Sequence, residues 1–331
     1  MADKNTHRKA ESEVPVSHGG FCVELAGRRL TITGDQSLES IRSAFASVEP
    51  VASGVGGASL EIATAADPAG VAPWRELAAG VYAGADGSVA VVHRNPSTVE
   101  CFVPGTPSRL ALIASRAALE SGDLRAHPGH HAISSWLASP TMRTLHAAAV
   151  SLGGRGVLFL GVGGRGKTTT SLACARAGFS FMGDDLCTVE AGNAATASPP
   201  LVHGLFATAK LNVDSRMRLD ARNWTELGKT PIGKTVVRIP DEIEFSRSSP
   251  LAAIIAVRAG LSPRAETKRL DPRDAFRLLI LAARQGTTSS AVPTQWFSAA
   301  ASLAREVPAF ELSLTWDLDR VTAAVRTVLE Q

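Results

Sequence analysis

The stretch "FLGVGGRGKTTTSLACARAGFSFMGDDL", residues 159–186, sets a glycine-rich turn, a lysine, a run of threonines and two adjacent aspartates inside one supersecondary unit. Gly161, Gly166, Lys167 and Thr168 have the spacing G-x-x-x-x-G-K-[ST] of a phosphate-binding loop, with Gly163, Gly164 and Arg165 inside it and Thr169 next. Glycines let main-chain N–H groups approach phosphate oxygens closely, and a helix opening at Lys167 adds the positive end of its dipole. In such a loop the lysine reaches the β- and γ-phosphates and the Thr168 hydroxyl ligates Mg²⁺. ATP and Mg²⁺ are therefore the expected cofactors. Asp184 and Asp185 can be read as turn or capping residues, since aspartates commonly end strands. On extended backbone, however, adjacent carboxylates point to opposite sides, so one can face a metal and the other an incoming hydroxyl. Phosphoryl transfer needs both jobs done.

The elements around these residues must bring them together. "GVLFLG" predicts a buried strand before the loop, the segment from Lys167 to Gly178 a helix, and "FSFMG" a second short strand. Parallel strands joined by a helix end on the same edge of a sheet, which puts Asp184 and Asp185 beside the loop. "LHAAAV" and "GVLFLG" flank "SLGGR", a hairpin signal. Antiparallel pairing about Gly153 and Gly154 sets His146 opposite residue 159 or 160, under the mouth of the loop and within reach of an aspartate. A lone histidine in an apolar strand is otherwise a core residue. The "HPGHH" group at 127–131 matches no established metal-ligand spacing.

With 331 residues and 45% hydrophobic content, the chain can hold one large or two ordinary domains, and the pattern favours two. Residues 1–19 read as a disordered tail, 20–135 as a small α+β domain, and 136–331 as the region with alternating strands and helices. In the first region "FCVEL-AG-RRLTIT" predicts a hairpin about Ala26 and Gly27, "SLESIRSAFASV" a helix, and "GSVAVVHRNPSTVECFVPG" a hairpin about Asn95 and Pro96. "PSRLALIASRAALESG" and "HHAISSWLAS" have helical spacing. No chemistry is recognisable there. The net charge of +3 comes from scattered arginines without basic runs or aromatic interleaving, which argues against a nucleic-acid surface. Cys22, Cys101, Cys174 and Cys187 lack metal-ligand spacing and fit the reduced thiols of a cytosolic protein. No window is apolar enough to span a membrane, and the polar N-terminus is unlike a secretion signal. A cytoplasmic location is expected. The subunit number is open, a homo-oligomer included.

In order, the strand with histidine, the hairpin, the loop, the helix and the strand ending in two aspartates, "LHAAAVSLGGRGVLFLGVGGRGKTTTSLACARAGFSFMGDDL", resemble the core of the HPr kinase/phosphorylase family. The resemblance implies an α/β fold: an HPr-kinase-like P-loop kinase domain with a mixed sheet, here preceded by the small α+β domain. It also implies that His146 supports Asp184, that Asp184 is the base toward a serine hydroxyl, and that Asp185 is a metal- or phosphate-side partner. Downstream there is no "EIRG"-like segment, which in HPr kinases supplies a further metal-binding glutamate, so HPr itself is not the expected substrate. "HGLFATAKLNVDSRMRL", "GKTVVRIPD" and the C-terminal "VPAFELSLTWDLDRVTAAVRTVLEQ" are similar to a biosynthetic branch of the family that phosphorylates a serine of lasso-type precursor peptides. Glu242 and Glu244 are candidates for the missing glutamate. The chain uses seven lysines against 27 arginines, so Lys210 and Lys234 stand out as compact point charges for phosphate or substrate, against a plain reading as a solvated strand edge. The acceptor is a hydroxyl of a peptide or protein, or a small-molecule alcohol. A module that senses ATP without transfer is the rival of another class.

Overall fold

A computed structural model describes residues 19–35, 38–46, 48–50, 57–64, 75–94, 97–193, 195–286 and 294–331. The tail expected over 1–19 falls outside them except for Gly19, as does the turn at Asn95 and Pro96.

The first region builds a nine-stranded sheet from β1 (Gly19–Leu25), β2 (Arg28–Gly34), β3 (Glu49–Pro50), β4 (Ala58–Thr64), β5 (Arg75–Ala78), β6 (Val81–Ala83), β7 (Val89–Arg94), β8 (Ser97–Val103) and β9 (Arg109–Ala114), in the order β3-β1-β2-β4-β9-β8-β7-β6-β5. Among the described residues four short helices accompany it: α1 (Leu38–Arg42), α2 (Arg116–Glu120), α3 (Gly122–Ala126) and α4 (His130–Leu137). The region is thus far richer in strand than expected. The hairpin about Ala26 and Gly27 forms, with Leu25 paired to Arg28. "PSRLALIASRAALESG" is not one helix. Leu110, Leu112 and Ala114 are buried while Ala111 and Ile113 are less so, a period of two that makes this half a strand between β4 and β8 before α2 begins.

The second region contains β10 (Met142–His146), β11 (Ala148–Leu152), β12 (Arg155–Leu160), α5 (Lys167–Arg176), β13 (Ser180–Gly183), β14 (Leu186–Glu190), β15 (Leu201–Gly204), β16 (Thr208–Leu211), α6 (Val213–Arg218), β17 (Glu226–Lys229), β18 (Thr235–Arg238), β19 (Ser248–Leu261), β20 (Glu266–Arg269), α7 (Pro272–Gln285), α8 (Thr294–Glu306), β21 (Ala309–Leu314) and α9 (Leu318–Glu330). Its main sheet is mixed, in the order β10-β14-β15-β19-β12-β11-β13, with β21 and β20 attached through β19. β12, β19 and β21 run parallel, and β11 is antiparallel to both β12 and β13. β12 alternates between two cores: Leu158 and Leu160 pack with Leu279 of α7 and Leu303 of α8, while Val157 and Phe159 pack with Cys174 of α5 and Val325 of α9. Helices on both faces explain why the strand reads as an unbroken apolar run. A three-stranded sheet, β16-β18-β17, stands beside α5.

Two details position the site. β12 and β13, each antiparallel to the strand between them, end on one edge, so the loop after β12 and the aspartates after β13 are neighbours. Gly286, the C-cap of α7, lies against β10 so closely that a Cβ would come 2.7 Å from the His146 main-chain nitrogen. Its φ of −81° would accept alanine, so the contact alone decides. Gly286→Ala is expected to lower stability by about 1–3 kcal/mol, the range of overpacked cores, in a urea melt.

The two regions share apolar surface. Phe21, Phe45 and Leu60 belong to the same buried cluster as Met142, Leu186 and Phe206, and Arg238 donates to the Ser43 carbonyl at 2.8 Å. Among the described residues no helix is long and apolar enough to cross a membrane.

Candidate active site

The loop from Gly161 to Gly166 follows β12 and opens into α5 at Lys167. Gly166 caps the helix in the left-handed region, at φ 99°, with its would-be Cβ 2.6 Å from Leu314. The left-handed backbone, more than the contact with a leucine tip, favours glycine there. At Gly163 and Gly164 a Cβ would meet nothing within 4 Å, so packing within the chain does not require glycine; the bare backbone faces open space. Beside it stand the first-turn N–H groups of α5, which the helix itself does not satisfy. Arg165 is exposed on the loop.

Lys167 is buried, at 5% exposure, and its Nζ donates to the Gly161 carbonyl at 2.8 Å. It lies 3.1 Å from His146 Nε2. Burial, and then the Lys167 ammonium, push His146 below the usual imidazole range, so the neutral ring accepts from the lysine.

His146 reaches this place by a route other than the expected hairpin. The β11–β12 register pairs Ala148 with Phe159, and the strand breaks at Ala147, whose N–H donates to the Asp185 carbonyl at 3.1 Å. His146 instead ends β10, opposite Leu186 of β14. Its ring partner is Lys167, in place of the supported Asp184 that the resemblance implied.

The aspartates also depart from expectation. Asp185 sits at φ 63°, so left-handed backbone, and not strand alternation, turns the two side chains apart. Asp184 is 2% exposed; its Oδ1 accepts the Thr168 hydroxyl at 2.8 Å and its Oδ2 the Lys210 main-chain N–H at 3.1 Å. Burial, reinforced by the neighbouring Asp185 charge, pushes the Asp184 carboxyl up to about 7. Asp185 lines a cavity of about 470 Å³ and stands 3.5 Å from Lys210 Nζ. Burial opposes its charge, but the Lys210 ammonium leads the charges that hold it below the usual carboxylate range. Asp184 thus belongs to the loop threonine and Asp185 to the cavity, the reverse of the expected division.

Lys210 also pairs with Asp123 of α3 at 3.0 Å, and Lys234 acts on Lys167 and Asp185 through its charge. The Thr169 hydroxyl is engaged with Ser215 of α6 at 2.7 Å. Glu244 accepts from Ser180, at the end of β13 away from Asp184, and Glu242 lines a separate cavity beside Arg176 at the far end of α5. Neither replaces a metal-binding glutamate at the loop. Asp123 and His127, which line the cavity with Asp185, come from the region expected to carry no chemistry. Nothing local in the sequence marks Asp123, and the spacing of "HPGHH" gives His127 no role, because the contacts join α3 to β16 across the two regions.

No family model matches the chain, and no curated protein does. Among solved structures, the HPr(Ser) kinase/phosphatase from Coxiella burnetii is similar at 15% identity over 56% of this chain and 95% of its own, with a TM-score of 0.30. A likeness that loose leaves the site to be read from its own geometry.

Proposed function

We propose that the chain is an ATP- and Mg²⁺-dependent kinase that transfers the γ-phosphoryl group to an alcohol, a serine or threonine hydroxyl of a peptide or protein in a biosynthetic pathway. The observation that carries the reading is the 2.8 Å contact between Thr168 and Asp184 at the mouth of an open glycine loop, with Asp185 aimed into an adjoining cavity. The residues fit the cofactor: Thr168 and Asp184 are hard oxygen donors of the kind Mg²⁺ takes, and Gly163 and Gly164 leave the cradle open. Bound, ATP with Mg²⁺ would supply the phosphoryl group and neutralise charge on it.

The protein's own residues divide the remaining work. Loop amides and the Lys167 ammonium bind and orient phosphate oxygens. Asp184 orients the Thr168 hydroxyl. Asp185 takes the acceptor's hydroxyl proton at its carboxylate, and Lys210 holds that carboxylate in place from Asp123. His146, neutral, positions the lysine. Low basicity at Asp185 is tolerable because the hydroxyl loses its proton late in a loose transition state.

The cavity's volume of about 470 Å³ is that of a small-molecule site, which favours a second reading with a small alcohol as acceptor. Incubation with ATP, Mg²⁺ and panels of peptides and alcohols, read by mass spectrometry, is expected to show gain of one phosphoryl group on one class. ATP binding with no transfer to any acceptor would leave a sensing module instead.

A further inference from the structure

Five of the chain's eight histidines line the one cavity: His146 beside Asp185, and His93, His127, His130 and His131 on the side built by the first region. The fold gathers them. α4 starts at His130, directly after Gly129 in the left-handed region, and packs across β7, β8 and β9. Its first turn therefore meets Glu100 of β8, and His93 of β7 stacks on His131 with ring centroids 5.1 Å apart.

Glu100 is 5% exposed, and its Oε2 accepts the main-chain N–H groups of His131 at 2.7 Å and Ala132 at 3.2 Å. That leaves Oε1 turned toward His130, 3.8 Å from Nδ1. The same Nδ1 lies 3.1 Å from the His127 carbonyl, and the His130 and His131 rings are 3.6 Å apart at their centroids. The Nδ1 atom of His131 is buried without a hydrogen-bond partner. One donor atom from each of Glu100, His130 and His131 lies within 4.8 Å of the other two. Ligands of a tetrahedral zinc ion stand about 3.4 Å apart, so closing on an ion draws the three donor atoms together and swings the two imidazole rings apart.

We propose that Glu100, His130 and His131 bind a zinc-class transition-metal dication whose remaining coordination position opens into the cavity shared with Asp185. Two imidazoles and a carboxylate suit such an ion, whereas Mg²⁺ prefers oxygen, so this centre is chemically distinct from the one at Thr168 and Asp184. The helix amides that hold Oε2, and the His127 carbonyl at His130, are the outer partners that orient ligands of this kind. The sequence spacing of "HPGHH" conceals the site because its third ligand comes from β8.

The test is calorimetric titration of the chelator-stripped, full-length chain with zinc sulfate, and in parallel with magnesium chloride, with no nucleotide present, so that its outcome is separate from that of the kinase reading. One Zn²⁺ per chain is expected, with no matching Mg²⁺ uptake. Co²⁺ in its place should give the intense visible bands of a low-coordinate imidazole site. Glu100→Gln, which keeps shape and one acceptor oxygen, should weaken zinc at least tenfold, and the His130→Ala/His131→Ala double variant should abolish stoichiometric uptake. Circular dichroism checks that both fold, and the Co²⁺ spectrum of the unaltered chain needs no variant. Absence of stoichiometric zinc uptake, a Co²⁺ spectrum like that of the aqueous ion, or undiminished uptake by a folded double variant would each overturn the assignment.

Discussion

Asp184→Asn is expected to lower kcat/KM for phosphoryl transfer by about 10²- to 10⁴-fold, the range seen when a positioned proton-transfer or charge-stabilising group is lost. Both carboxylate oxygens accept hydrogen bonds, one from Thr168 and one from the Lys210 main chain. An asparagine can accept only one of them and must set its NH₂ against the other donor, while losing the charge beside the metal position. The unaltered protein should show the same dependence through pH. With the Asp184 carboxyl raised to about 7, the nucleotide-free site is protonated below neutrality, so kcat/KM rises as pH rises through about 7. A bound cation favours the ionised form, so the corresponding limb of kcat moves to lower pH. The linkage has the opposite sign for stability. A folded-state value above the unfolded value of about 3.9 means that the native state keeps a proton the unfolded chain has released, so this group's contribution falls between about pH 4 and 7. A pH–rate profile flat across neutrality, or full activity in the variant, would remove Asp184 from the chemistry.

Lys167 carries the second large effect. Lys167→Ala should cost about 10²- to 10³-fold in kcat/KM and weaken ATP·Mg²⁺ in calorimetry, because the buried ammonium that begins α5 is removed from the loop. Lys167→Arg should not rescue it. The amine sits between the Gly161 carbonyl and the His146 ring at 2.8 and 3.1 Å, a space for a compact ammonium and not for a planar fork. Undiminished nucleotide affinity in either variant would contradict the assignment of the loop.

The unit from residue 155 to 185 was legible because its signals are local: an apolar strand, glycines at set spacing, a helix of ten residues and a short buried strand. Topology then placed the aspartates beside the loop without further information. What the sequence hid was of two kinds. One was backbone conformation: an aspartate at φ 63° looks like any other in a string of letters, yet at Asp185 it goes with separate partners for the two carboxylates, the Thr168 hydroxyl for Asp184 and the Lys210 ammonium for Asp185. A strand that stops at Ala147 is likewise invisible inside "LHAAAV", and it moved His146 to a different neighbour. The other was distance along the chain. The period-two burial of Leu110, Leu112 and Ala114 competes with helix-forming residues and wins only because β4 and β8 flank it. Asp123 and Glu100 acquire chemical meaning only when α3 and β8 meet partners more than thirty positions away.

Lys210 is held from two sides, by Asp123 from the front of the chain and by Asp185 at the rim of the loop. The electrostatic balance around Asp185 therefore depends in part on a residue of the first region. Without Asp123 the Lys210 ammonium would be left to Asp185, 3.5 Å away, and would pull that carboxylate alone.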